Sequence, residues 1–104
     1  MEVDDTHSTL TNTEIAAVFE DIARRLEIKK DNIFKVRAYR KVARSISELT
    51  EPVDKLVREN RINEIPGAGE AISKKLTELV ETGRLEYYEK LKKEISPATN
   101  SPGR

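Results

Sequence analysis

A chain of 104 residues that is 37% hydrophobic has the makings of one domain with a modest core, and a large enzyme pocket is excluded on size. Its 19 Lys and Arg balance 19 Asp and Glu, so net charge points to no polyanionic partner and only the distribution of charge can do so. With no cysteine, disulfides, thiolate zinc sites and cysteine nucleophiles are excluded, and with no long apolar run or basic leader the chain reads as intracellular and cytoplasmic, with no membrane partner.

Residues 1–10 are polar and unpatterned and are expected to form a disordered tail, in which His7 is incidental. Thr11 with Glu14 forms a capping box, and Ile15, Val18, Phe19, Ile22 and Leu26 then recur at helical spacing to about Ile28. Either Asp31 or Asn32 caps a second helix, in which Ala38, Val42, Ile46 and Leu49 form one stripe. Thr50-Glu51-Pro52 signals a third start, with Val53, Leu56 and Val57 as its buried side until near Asn60. The segment from Ile62 to Gly69 is a tight turn framed by Ile62 and Ile65. It leads into a fourth helix with Ile72, Leu76, Leu79 and Val80 on one face and Gly83 at its end. A last helix from near Leu85 turns Tyr88, Leu91 and Ile95 inward, and residues 96–104 have the Pro, Ser, Gly and Asn content of a linker or tail. No stretch alternates with period two, so the expected fold is all-α: a compact bundle of four to five short helices over residues 11–95.

In Pro66-Gly67-Ala68-Gly69, glycines bracket one small residue immediately before a helix. That arrangement brings bare N–H groups close to an anion and permits positive φ. The first turn of the following helix adds unpaired donors and the positive end of a dipole, which suits a nucleic-acid phosphate whatever the base sequence. A bare G-x-G serves equally well to turn a corner sharply. The longer pattern, with Ile62, Ile65, Pro66, Ser73 and Leu76, resembles the helix-hairpin-helix motif. That resemblance implies contact with the DNA backbone without sequence preference. It also implies a monovalent cation, K⁺ or Na⁺, held by hairpin carbonyls that by position are those of Asn63, Ile65 and Ala68.

Charge is unevenly spread. Residues 1–28 carry Arg24 and Arg25 against Glu2, Asp4, Asp5, Glu14, Glu20, Asp21 and Glu27, whereas residues 29–44 carry Lys29, Lys30, Lys35, Arg37, Arg40, Lys41 and Arg44 against Asp31 alone. At about 100° per residue Arg37, Arg40 and Arg44 fall together, with Lys41 beside them, opposite Ala38, Val42 and Ile46. By itself such a face is an ordinary solvated surface, partly paired with the acidic first helix. Beside a phosphate-binding turn it becomes a second place for a DNA backbone. Lys35 starts the otherwise apolar stripe and either snorkels past the end of the core or serves as a phosphate ligand. Tyr39 borders the stripe, with a ring to pack and a hydroxyl to reach a polar site.

The run Phe34-Lys35-Val36-Arg37-Ala38-Tyr39-Arg40-Lys41-Val42-Ala43, then Ile65-Pro66-Gly67-Ala68-Gly69 and Thr82-Gly83-Arg84-Leu85, resemble the amino-terminal domain of family X DNA polymerases, across nearly all of residues 13–95. The Ala38-Tyr39-Arg40-Lys41 block is the specific part. The resemblance implies a bacterial or archaeal member. It implies a bundle of short helices that binds gapped or nicked DNA at its 5′-phosphate in base excision repair. Polymerase domains would follow residues 96–104 and hold the nucleotidyltransferase chemistry, since no carboxylates here are spaced for a divalent-metal site. In animal members the domain is also a lyase that removes 5′-deoxyribose phosphate through a lysine Schiff base. Lys75 matches that lysine; Lys35 and Tyr39 match positions that hold the phosphate and shape the site. Lys75 lies at the border of the face defined by Ile72 and Leu76, with Lys35 expected nearby, and such crowding favours a free amine. The chain departs from the pattern at Phe34, which replaces a DNA-stacking histidine and could itself stack on a base. It departs again at Ala71 and Lys74, and at Tyr87, which replaces a phosphate-binding lysine. Gap binding therefore ranks ahead of lyase activity. A protein-interaction bundle without DNA function is the third reading, kept by the neutral net charge and by Tyr87-Tyr88.

Overall fold

A short polar side chain caps the start of three helices here, each in a different way. The computed structural model describes residues 10–94, and expectations for the amino-terminal tail, His7, Ile95 and residues 96–104 lie outside them. In α1 (Asn12–Ile28), Thr11 Oγ1 accepts from the Glu14 amide at 3.1 Å and Glu14 Oε1 accepts from the Thr11 amide at 2.9 Å, which completes the capping box. A cap of this kind stabilises a helix by about 1 kcal/mol. In α2 (Ile33–Ser47) Asn32, not Asp31, is the cap: its Oδ1 accepts from the Phe34 amide at 2.7 Å, while Asp31 accepts from the Asn32 amide. The short α3 (Val53–Arg58) starts on Pro52 with no cap of its own. Asn12, the first residue of α1, supplies one from a distance, accepting from the Val53 amide at 2.9 Å and donating to the Glu51 carbonyl at 2.8 Å.

A 3₁₀ turn (Ile62–Glu64) precedes α4 (Glu70–Thr82), which ends on Gly83 at φ +81°, and α5 (Glu86–Glu94) follows. No strand occurs among the described residues, and the expected all-α bundle is the fold observed, with five α-helices. None of the described helices is long and apolar enough to cross a membrane.

The core begins between α1 and α2, where Ile15, Phe19, Ile22 and Leu26 meet Val42 and Ile46, all fully buried. Val53 and Leu56 of α3, Ile65 of the turn, Leu76 of α4 and Leu85 close it. The buried side of α2 runs through Val36, Tyr39, Val42, Ala43 and Ile46, with Ala38 and Leu49 only half-buried, so it is rotated from the stripe that the sequence suggests. The reason is that α2 is covered on more than one side: α1 packs along it, and Tyr87 of α5 reaches Tyr39. On α5 Tyr88 donates its hydroxyl hydrogen bond to Asp21 of α1, which also pairs with Arg25 at 2.9 Å. Burial pushes the Asp21 carboxyl up, but these two hydrogen bonds outweigh it and hold the group below its ordinary value.

Two helices end on left-handed residues that are not glycine. Asn60 (φ +56°) ends α3, with Arg61 N–H donating to the Leu56 carbonyl at 2.7 Å, and asparagine tolerates this conformation. Lys30 (φ +62°) ends α1 in the same way, with Asp31 N–H donating to the Leu26 carbonyl at 2.9 Å, and a lysine there is strained. Lys30→Gly is therefore expected to stabilise the domain by about 0.5–1 kcal/mol after the larger chain entropy of glycine is allowed for. Urea denaturation monitored by circular dichroism checks this, and an unchanged or lower midpoint would show that the turn carries no strain.

Candidate nucleic-acid interface

The hairpin is a β-turn closed by the Ala68 amide, which donates to the Ile65 carbonyl at 3.1 Å, with Pro66 and Gly67 at its centre. Proline sets the first central position and Gly67, at φ +89°, supplies the positive φ of the second, the combination of a type II turn. Ile65 is 1% exposed, so the turn is pinned to the core by the residue that opens it. Gly69 is different: at φ −76° and ψ −175° it is the N-cap of α4 in a conformation open to any residue. A Cβ added there meets nothing within 4 Å. Neither backbone conformation nor internal packing calls for glycine at this position. Its bareness matters only to something approaching from outside, in front of the unpaired first-turn amides of α4.

At Gly67 an added Cβ would stand 3.2 Å from Lys41 Cγ and 3.3 Å from Lys41 Cδ. The aliphatic stem of Lys41 thus lies against the turn. Lys41 also lines an open groove of about 410 Å³ on α2, together with Arg37, Arg40, Arg44 and Ser45. Among the described residues Arg37, Lys41 and Arg44 have no carboxylate within ion-pair distance. Arg40 is otherwise engaged, pairing with Glu27 at 2.9 Å and Glu20 at 3.3 Å of α1. Its hydrogen bond holds the Glu27 carboxyl below the usual carboxylate range. The cationic groove of α2 and the hairpin therefore share one residue, Lys41, which lines the groove and lies against the turn.

The other residues singled out in the sequence lie around this surface. Lys35, in the first turn of α2, is exposed and pairs with Asp31 at 3.5 Å, so its side chain points past the end of the core. Phe34 beside it is 73% exposed. Tyr39 is 4% exposed, and burial, then the adjacent Tyr87 hydroxyl, push its phenol well above the ordinary tyrosine range. Asn63 and Ala68 flank Ile65; the Ala68 carbonyl accepts from Ser73 Oγ at 3.4 Å. Lys75, half-buried on α4, has its ammonium 4.7 Å from the centre of the Tyr87 ring, while Lys74 is exposed and near Glu70.

A family model described as a helix-hairpin-helix domain matches residues 10–85. The chain belongs to the helix-hairpin-helix domain family. No curated protein matches it. A helix-hairpin-helix domain binds DNA through the backbone without reading sequence, and this one has the turn, the bare helix N-terminus and the neighbouring cations that such binding uses. The sequence gives no sign of the seat of Lys41 on Gly67, because contact between residues so far apart leaves no local signature. The engagement of Arg40 has a faint one: Glu20 and Glu27, seven residues apart, share a face of α1.

The two glycines are expected to behave oppositely. Gly67→Ala forces positive φ on alanine and crowds Lys41, and should destabilise by about 1–2 kcal/mol. Gly69→Ala should stay within about 0.5 kcal/mol of the parent, because a poorer cap and a stiffer unfolded chain offset one another. It should nevertheless weaken DNA binding. Thermal melts and fluorescence anisotropy with a nicked duplex check both, and a Gly69→Ala variant that binds like the parent would remove the approach argument.

Proposed function

We propose that this domain seats a family X DNA polymerase on gapped or nicked DNA during repair, gripping the strand backbone and the 5′-phosphate that borders the gap. The observation that carries the reading is the seat of Lys41 on Gly67, which links the hairpin turn to the groove of free cations on α2. Backbone amides and a helix N-terminus suit a phosphate, and guanidinium groups add charge-assisted hydrogen bonds. Polymerase domains elsewhere in a longer protein would supply the nucleotidyl transfer, in the cytoplasm at the nucleoid.

We propose that a monovalent cation, K⁺ or Na⁺, is held at the same hairpin. The Ile65 carbonyl accepts one hydrogen bond and the Ala68 carbonyl one long one, and a carbonyl oxygen has two lone pairs, so both can also ligate an ion, with Asn63 as third. Such an ion would neutralise charge where the strand crosses the turn.

Lyase chemistry is the second reading, with Lys75 as nucleophile and with Lys35 and Tyr39 in the phosphate-holding and site-shaping roles that the resemblance implies; the half-burial of Lys75 on α4, with no carboxylate in ion-pair distance among the described residues, is the observation that keeps it. Reductive trapping on incised abasic DNA tests it, and loss of the adduct in Lys75→Ala would identify the amine.

Binding to gapped DNA, with and without a 5′-phosphate, should show a preference for the phosphate and a steep fall with salt. Arg37→Gln, Lys41→Gln and Arg44→Gln should each lower the slope of log K against log salt by about 1, whereas Arg40→Gln should change it less. Binding indifferent to both phosphate and salt would refute the gap-seating role.

A further inference from the structure

Away from the hairpin, a cation and a pile of aromatic rings meet between α2, α4 and α5. Phe19 stacks on Tyr39 with ring centres 5.9 Å apart and planes 18° from parallel, and Tyr39 stacks on Tyr87 at 6.1 Å and 9°. Phe19 and Tyr39 are buried, so the pile is anchored in the core, and its last ring, Tyr87, is half-buried. The start of α5 is fixed as well, by buried Leu85 and by the Glu86 amide, which donates to Glu78 Oε2 at 2.9 Å. Tyr87 is therefore a backed platform. Over it lies the Lys75 ammonium, 4.7 Å from the ring centre, and among the described residues Lys75 has no carboxylate within ion-pair distance.

We infer that Tyr87 is a positioning residue that holds Lys75 as a fixed cation for the 5′-phosphate and withholds its amine from Schiff-base formation. The inference rests on the gap-seating reading. Lys75 is six residues after Gly69 on the helix that the hairpin introduces, a rise of about 9 Å, so a strand bound at the hairpin passes within reach. A free lysine loses rotamer freedom when it binds a phosphate; one already laid on a ring loses less. Imine formation requires an unprotonated amine to add to the sugar aldehyde and expel water. The negative face of a ring attracts an ammonium instead. The ring, not the hydroxyl, performs both tasks, so phenylalanine should replace Tyr87 and leucine should not.

The test uses the full chain and its Tyr87→Phe, Tyr87→Leu and Lys75→Gln variants. In the free protein the Lys75 Hε resonances should lie upfield of ordinary lysine, through the ring current, and stay so in Tyr87→Phe. The ratio of Kd for gapped DNA ending in 5′-hydroxyl to that ending in 5′-phosphate should fall about two- to fivefold in Tyr87→Leu, towards the value for Lys75→Gln. Borohydride, which reduces an imine with incised abasic DNA to a stable amine, should trap more adduct in Tyr87→Leu than in the parent. Ordinary Lys75 shifts in the parent, an undiminished phosphate preference in Tyr87→Leu, or equal adduct in both would overturn the inference. If Tyr87→Leu does not fold, a phosphate preference that survives in Lys75→Gln overturns it by itself. A parent with no phosphate preference would sink the gap-seating reading, and this inference with it; a preference that survives in the variants sinks the inference alone.

Discussion

The hairpin lies against α2 because position 67 has no side chain. A Cβ there would press on the Lys41 stem, and the turn also needs the positive φ that Gly67 adopts, so two independent demands fall on one residue. Once that contact is made, much else follows from it. Ile65 enters the core just before the turn, Gly69 opens α4 with its first amides bare, and the groove lined by Arg37, Lys41 and Arg44 shares Lys41 with the turn. Remove the close approach, and the amides and the cations become two weak anion sites instead of one surface.

A neutral chain can present a positive surface because many charges of the described residues neutralise one another elsewhere. Arg40 is taken up by Glu20 and Glu27, Arg25 by Asp21, and Arg58 by Asp54. Arg61 is bracketed by Glu51, Glu59 and Glu64, and its guanidinium is held charged by hydrogen bonds to all three. These pairs are exposed or half-exposed and contribute little stability each, since water screens them. Their larger effect is to determine which cations remain free, and Arg37, Lys41 and Arg44 are left on the side that continues into the hairpin.

Much of the fold is legible along the chain because its signals are local. The Thr11–Glu14 box, the apolar spacing of α1 and the glycines of the turn and of Gly83 all state their roles within a few residues. What is not legible arises from residues distant in sequence or from conformations the residue type does not advertise. Asn12 caps α3 across 41 residues, Lys30 takes a left-handed conformation with no glycine to mark it, and Tyr39 turns inward because Phe19 and Tyr87 lie on either side of it. The candidate site divides in the same way. The turn and the basic run are visible separately, whereas their junction at Lys41 and the diversion of Arg40 to α1 exist only in three dimensions.

The account stands or falls on whether a DNA strand occupies the hairpin and α2 together. Mapping of amide and lysine side-chain shifts by NMR, on adding a nicked duplex bearing a 5′-phosphate, tests this most directly. The amides from Gly67 to Ile72 and the Lys41 side chain should move together along one binding curve. Shifts confined to α2 with the hairpin amides unmoved, or to the hairpin with Lys41 unmoved, would contradict it.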